Sequence, residues 1–186
     1  YYLFLTAALA NSQDIFLIYG GKTLEGYDLD VLRRFDVIYL HGLRYRTLES
    51  QESTSQLLSK YVMDGGGLIL DTGDLPYGGE ARDIPNPFPI SETSIHSYSH
   101  IILNQTAQHD ITGQINFEKF KTTNASSVSY AKSIKTGALT VLYDEGRPVV
   151  VYWEQGSGKV LWMGLRLPYL AMLSGEKEEA KFLANI

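Results

Sequence analysis

His41, Asp71 and Thr72 are the side chains best placed to do chemistry, because each falls at what the pattern reads as a strand end. His41 follows Asp36-Val-Ile-Tyr-Leu40, and Asp71-Thr72-Gly73-Asp74 follows the apolar run Gly67-Leu-Ile-Leu70. In a parallel α/β sheet, the carboxyl ends of strands are where ligands bind and nucleophiles are mounted. A hydroxyl, an imidazole and a carboxylate at one sheet edge are the groups a hydrolase uses. A threonine hydroxyl without an adjacent base nevertheless stays protonated at neutral pH and is a poor nucleophile. Gly73 and Asp74 complete the turn, and His109 in Gln108-His-Asp-Ile-Thr-Gly113 joins the candidate ligand site. The chain has no cysteine, which excludes thiolate nucleophiles, thiolate metal sites and disulfides. The candidate ligand site is therefore His41, Asp71, Thr72, Gly73, Asp74 and His109, with no residue assigned as catalytic.

Other motifs carry less. Asp71, Asp74, Glu80 and Asp83 surround one strand end and have the chemistry of a hard-cation site. Turn and cap hydrogen bonding accounts for them as well, and no metal is expected. His96 and His100 have the spacing of a helical zinc pair, but Ser97-Tyr98-Ser99 between them gives no helical pattern. Gly20-Gly21-Lys22-Thr23 fails as a phosphate loop, because the earlier glycine position holds Phe16. No Gly-x-Gly-x-x-Gly follows a strand, so no cofactor is expected. Asn104-Gln-Thr106 and Asn124-Ala-Ser126 match the glycosylation triplet, a pattern common by chance in polar loops.

The 186 residues fit a single domain large enough for its own core. A net charge of −5 carries no basic footprint, so nucleic acid is not an expected partner. No window reaches the roughly 18 consecutive apolar residues of a membrane span. Residues 1–10 read as a helix, 14–19 as a strand, 28–35 as a helix, 36–40 as a strand, 50–64 as an amphipathic helix and 67–70 as a strand. Alternation of short apolar strands with helices indicates a doubly wound, mainly parallel sheet with helices on both faces, a flavodoxin-like α/β fold. Strands 36–40 and 67–70 are expected to be parallel neighbours in the sheet interior. Residues 71–100, with four of the six prolines, read as a long irregular loop. From 127 onward, segments 127–134, 139–143, 148–152 and 159–164 read as an antiparallel meander, closed by a helix over 175–184. A doubly wound domain opens with a strand, whereas this sequence opens in a helix. The expectation is a fragment of a longer protein whose opening strand lies upstream or is replaced.

Three blocks in order carry a resemblance: Phe35 to Gly42 with the 50–64 helix and Tyr61-Val-Met-Asp-Gly-Gly-Gly67; Gln108 to Gly113; and Val141 to Gly164. Together they resemble the class I glutamine amidotransferase-like superfamily, in particular trehalose-utilisation-type domains and the trimerisation-type domain of β-galactosidases. The resemblance implies that Thr72 occupies the position of the amidotransferase cysteine. The late His-x-Glu dyad of those enzymes has no match, since His41, His96, His100 and His109 all lack a glutamate two residues on.

The expected function is therefore a non-catalytic amidotransferase-like binding or interaction module of a larger protein, membrane-anchored or at the cell surface. Its partner would be a small molecule, a protein or a glycan. A hydrolase or carbohydrate-related enzyme using His41, Asp71 and Thr72 is the alternative. A structural role, including homo-oligomerisation, is the third.

Overall fold

The computed structural model describes residues 2–10, 14–42, 52–72, 80–96, 101–106, 108–120, 128–168 and 177–186. Three strands form its parallel part: β1 (Val37–His41), β2 (Gly67–Asp71) and β8 (Gly158–Met163). Here β1 pairs parallel with β2, and β2 pairs parallel with β8. The sheet then continues antiparallel through β7 (Arg147–Gln155), β6 (Leu139–Asp144) and β4 (Leu103–Gln105). This six-stranded mixed sheet corrects the expectation of a mainly parallel one. The reason lies in the connections, because turns such as Glu154–Ser157 and Asp144–Arg147 are too short for crossovers and permit only antiparallel return. The parallel pairing of the first two strands is as expected, although β1 ends the order among the described strands rather than lying inside it.

The second sheet has two antiparallel strands, β3 (Ile90–His96) and β5 (Val128–Ile134). It takes β5 out of the expected meander, and it contains β3, which the sequence reads as loop. Polar alternation hides β3: Ile90-Ser-Glu-Thr-Ser-Ile-His has few apolar residues, yet Ile90, Thr93 and Ser94 are buried. The described part of the former loop is thus folded, with Ile84, Phe88 and Ile90 all in the core.

Helix α1 spans Tyr2–Ala8, and the short α2, Leu29–Leu32, is capped by Asp28, whose side chain accepts from the Val31 N–H at 2.9 Å. The two longer helices are α3 (Glu52–Met63) and α4 (Lys177–Asn185). Period-two alternation divides the core between the sheet's faces. Ile69, Leu161 and Met163 join Leu5, Leu9, Phe182 and Leu183 in one cluster, which places α1 and α4 on that side. Leu68, Leu70, Val160 and Trp162 join Leu58, Tyr61 and Val62 of α3 in the other. The chain leaves α3 through Gly65, at φ +113°, and Gly66, where an added Cβ would lie 2.2 Å from the Tyr61 ring. Only glycines make that turn. Tyr61 is buried there and donates to the Phe35 carbonyl at 2.9 Å. Its phenol is pushed up to about 12, by burial first and the Asp36 charge second.

Residues 14–19 are the clearest correction. The segment forms no strand and belongs to neither sheet among the described residues. Leu17 packs on the first cluster, while Phe16 and Ile18 remain 89% and 70% exposed. Apolar residues alone do not make a strand. A ladder partner is also required.

Candidate functional site

The parallel register of β1 and β2 sets His41 opposite Asp71. Because side chains alternate along a strand, Tyr39 and His41 share a face of β1, and Ile69 and Asp71 share the corresponding face of β2. Tyr39 donates its hydroxyl to Asp71 Oδ2 at 2.9 Å. His41 Nδ1 lies 3.7 Å from the same oxygen, outside hydrogen-bond range but within that of an ion pair when the ring is protonated. Asp71 is fully buried, and burying a carboxylate is costly unless donors surround it. The His41 side chain is 21% exposed, so the pair connects a buried acid to the surface at the strand ends. Tyr39 was missed from sequence. Its signal is its place two residues before His41, on the same face.

Thr72 turns the other way. It is fully buried, and its hydroxyl donates a long 3.4 Å hydrogen bond to the Met163 carbonyl. Its own N–H donates to the same carbonyl at 2.9 Å, extending the β2–β8 ladder by one residue. Its carbonyl accepts the Ser129 hydroxyl at 3.2 Å. Ser129 opens onto this junction because Gly164 has no side chain: a Cβ there would lie 1.8 Å from the Ser129 carbonyl oxygen. Thr72 therefore joins β2, β8 and β5 at one point.

His109 lies apart from these three. It caps the 3-10 turn Asp110–Thr112, with Nδ1 accepting the Ile111 N–H at 3.3 Å and Thr112 Oγ1 accepting the His109 N–H at 3.1 Å. Its ring packs edge-on against Tyr152 of β7, with centroids 4.6 Å apart. Tyr152 donates to Glu154 at 2.6 Å, and burial together with that carboxylate holds its phenol well above the usual tyrosine value. β7 is separated from β2 by β8. Gly73, Asp74 and His100 lie outside the described residues, as does the side chain of His96. Glu80 and Asp83 are exposed, and among the described residues no three His, Asp or Glu side chains converge on a metal position.

The family is decided by sequence. Residues 5–168 match the model of a domain of unknown function, DUF7408. The chain belongs to that family. No curated protein matches it. Among solved structures, the cytoplasmic protein STM1381 of Salmonella typhimurium LT2 superposes with a TM-score of 0.72 at 18% identity, covering 99% of this chain and 84% of that one. The cytoplasmic protein STM3548 of Salmonella typhimurium gives 0.60 at 15%, covering 98% and 83%. The exo-β-1,4-mannosidase Op5Man5 of Opitutaceae bacterium strain TAV5 gives 0.54 at 15%, covering 98% of this chain but 30% of the enzyme. β-Galactosidases superpose only at 0.44 to 0.46, too loosely to argue from. At these identities the likeness is one of fold. Among the described residues, no helix is long and apolar enough to cross a membrane.

Proposed function

We propose that this chain is a non-catalytic amidotransferase-like module that binds a small molecule, a protein or a glycan within a larger protein. The observation that carries the reading is Thr72. At the position the resemblance assigns to a nucleophile, its hydroxyl is fully buried and directed into the Met163 carbonyl. A nucleophile must face a crevice with a base beside it, and His41 faces Asp71 instead. The mannosidase, in which this fold accounts for 30% of the length, supports the role of a module carried by a larger chain. A parent protein anchored in a membrane or displayed at the cell surface, and assembly with further copies, belong to the same reading.

Ammonia release from glutamine tests it. Neither the purified chain nor Thr72→Cys should exceed the no-protein control. Turnover that disappears in Thr72→Ala would overturn the proposal.

The second reading is a hydrolase acting on carbohydrate-like substrates, favoured by the 3.7 Å approach of His41 to buried Asp71. An acid that orients an imidazole is how a general base is built. Hydrolysis of nitrophenyl glycosides or esters that is lost in His41→Gln would establish it over the first reading.

A further inference from the structure

The C-terminal helix is clasped by the segment 109–116, and one imidazole closes that segment. From α4, Asn185 Nδ2 donates to the carbonyls of Ile111 at 3.4 Å and Gly113 at 3.2 Å, Lys181 Nζ donates to the Gln114 carbonyl, and Glu178 Oε2 accepts the Asn116 N–H at 2.8 Å. All but the last of these use backbone carbonyls, so they hold only while the turn keeps its shape. That shape depends on His109, whose Nδ1 accepts the Ile111 N–H. A ring nitrogen accepts only while it carries no proton. Protonated, Nδ1 would turn N–H against N–H, and the amide of buried Ile111 would lose its acceptor. Other groups around the ring attract a positive charge. Asp110 is the next residue, Glu154 of β7 takes the Tyr152 hydroxyl at 2.6 Å, and both carboxylates bear on the phenol against which the ring packs. On α4, Glu178 adds a carboxylate to this surface and Lys181 opposes it. The neutral ring is thus held by the cap, and the charged ring is drawn away from it.

We propose that His109 is a pH-controlled latch on α4. The neutral imidazole closes the 109–113 turn. The imidazolium leaves the cap for Asp110 and Glu154, and the carbonyls that hold Asn185 and Lys181 loosen with it. The switch works where imidazoles change charge, between about pH 5 and 8. Phe182 and Leu183 keep the apolar face of α4 in the core in both states. What opens is the polar clasp and not the helix.

Amide exchange of the intact chain, read by NMR at about pH 7.5 and about pH 5 and divided by the intrinsic rate at each, tests this. Protection at Ile111 and Gly113 should fall about fivefold at the lower pH, the size of a lost cap, and that of α4 should fall with it, while β7 and β8 keep theirs. Equal protection at the two pH values would overturn the proposal. His109→Asn supplies a capping oxygen that does not titrate, so its turn should stay protected at both. A fall at low pH that survives in this variant would assign the effect to the carboxylates and count equally against the latch. His109→Ala has no cap at either pH and should already show the low protection at about pH 7.5. If it keeps the protection of the unaltered chain there, the imidazole does not hold the turn and the proposal fails.

Discussion

Asp71 and Asp144 are both buried aspartates at the carboxyl ends of strands, and each accepts a tyrosine hydroxyl: Tyr39 at 2.9 Å and Tyr130 at 2.5 Å. Their remaining surroundings differ with the topology around them. Asp144 ends β6 where the chain turns straight back into β7, so Arg147 is on hand at 3.4 Å, and the Ile102 N–H of the neighbouring segment donates at 3.0 Å. Arg147 also lies over the Tyr130 ring at 4.3 Å. Asp71 ends a strand that runs parallel to both of its neighbours. It draws on the adjacent strand, which supplies Tyr39 and, at the longer 3.7 Å, His41. The hairpin closes its acid with a permanent cation. The parallel end faces its acid with a group whose charge depends on protonation, next to the surface. That contrast makes Asp71 the functional candidate and Asp144 the structural one.

The largest expected effect is at the hairpin. Asp144→Ala would remove the carboxylate shared by Tyr130, Arg147 and the Ile102 amide and should cost about 3–5 kcal/mol, read from urea denaturation midpoints. Asp71→Ala should cost less, about 1–3 kcal/mol. If Asp71→Ala proved the more damaging, the division between the two acids would be broken. Tyr130→Phe and Tyr39→Phe should follow in the same order, each within about 1.5–3 kcal/mol, the range for hydrogen bonds to charged groups. Thr72→Val should shift stability by less than about 1 kcal/mol, because the bond it removes is long. A larger loss would mean that the hydroxyl, and not only the backbone, ties the junction.

The last effect is one of pH. The unfolded chain holds the Lys135 proton up to the ordinary value of 10.5, while burial makes the folded chain release it at about 8. Between those values the unfolded state binds more protons, so this group makes stability rise with pH across that window. Lys135→Met should flatten the rise. Tyr61 works in the opposite direction only above pH 10, where the unfolded phenol ionises while the folded one waits until about 12.

Much of this architecture was legible in the sequence. β1, β2, β6, β7 and β8 lie within a few residues of their expected positions, because each is apolar and bounded by turn residues. That His41 lies at the same sheet edge as Asp71 followed from its place after a strand expected to run parallel to the next; the direct pairing comes from the register. Two kinds of information were not local. β3 is polar and is buried only because β5 and the 81–90 segment cover it. Residues 14–19 have the composition of a strand without membership of a sheet. Within the site, Thr72 directly follows the last residue of β2, but its inward direction depends on Met163 and Ser129, which lie far away in the chain. His109 looked like a site residue by type. Its local sequence, with threonine three residues later, already fits the cap it forms.

The absence of a side chain at Gly164 reaches into how the protein breathes. Its amide donates to Val149 while its carbonyl accepts the Ser129 amide, and the Thr72 amide closes onto Met163 beside it. These protons belong to different strands and to both sheets, yet none can meet solvent until the shared junction parts. In deuterium exchange the three amides would behave as one cooperative unit. The two-stranded sheet would then not melt ahead of its larger neighbour, and the protein would open as a whole or not at all at this seam.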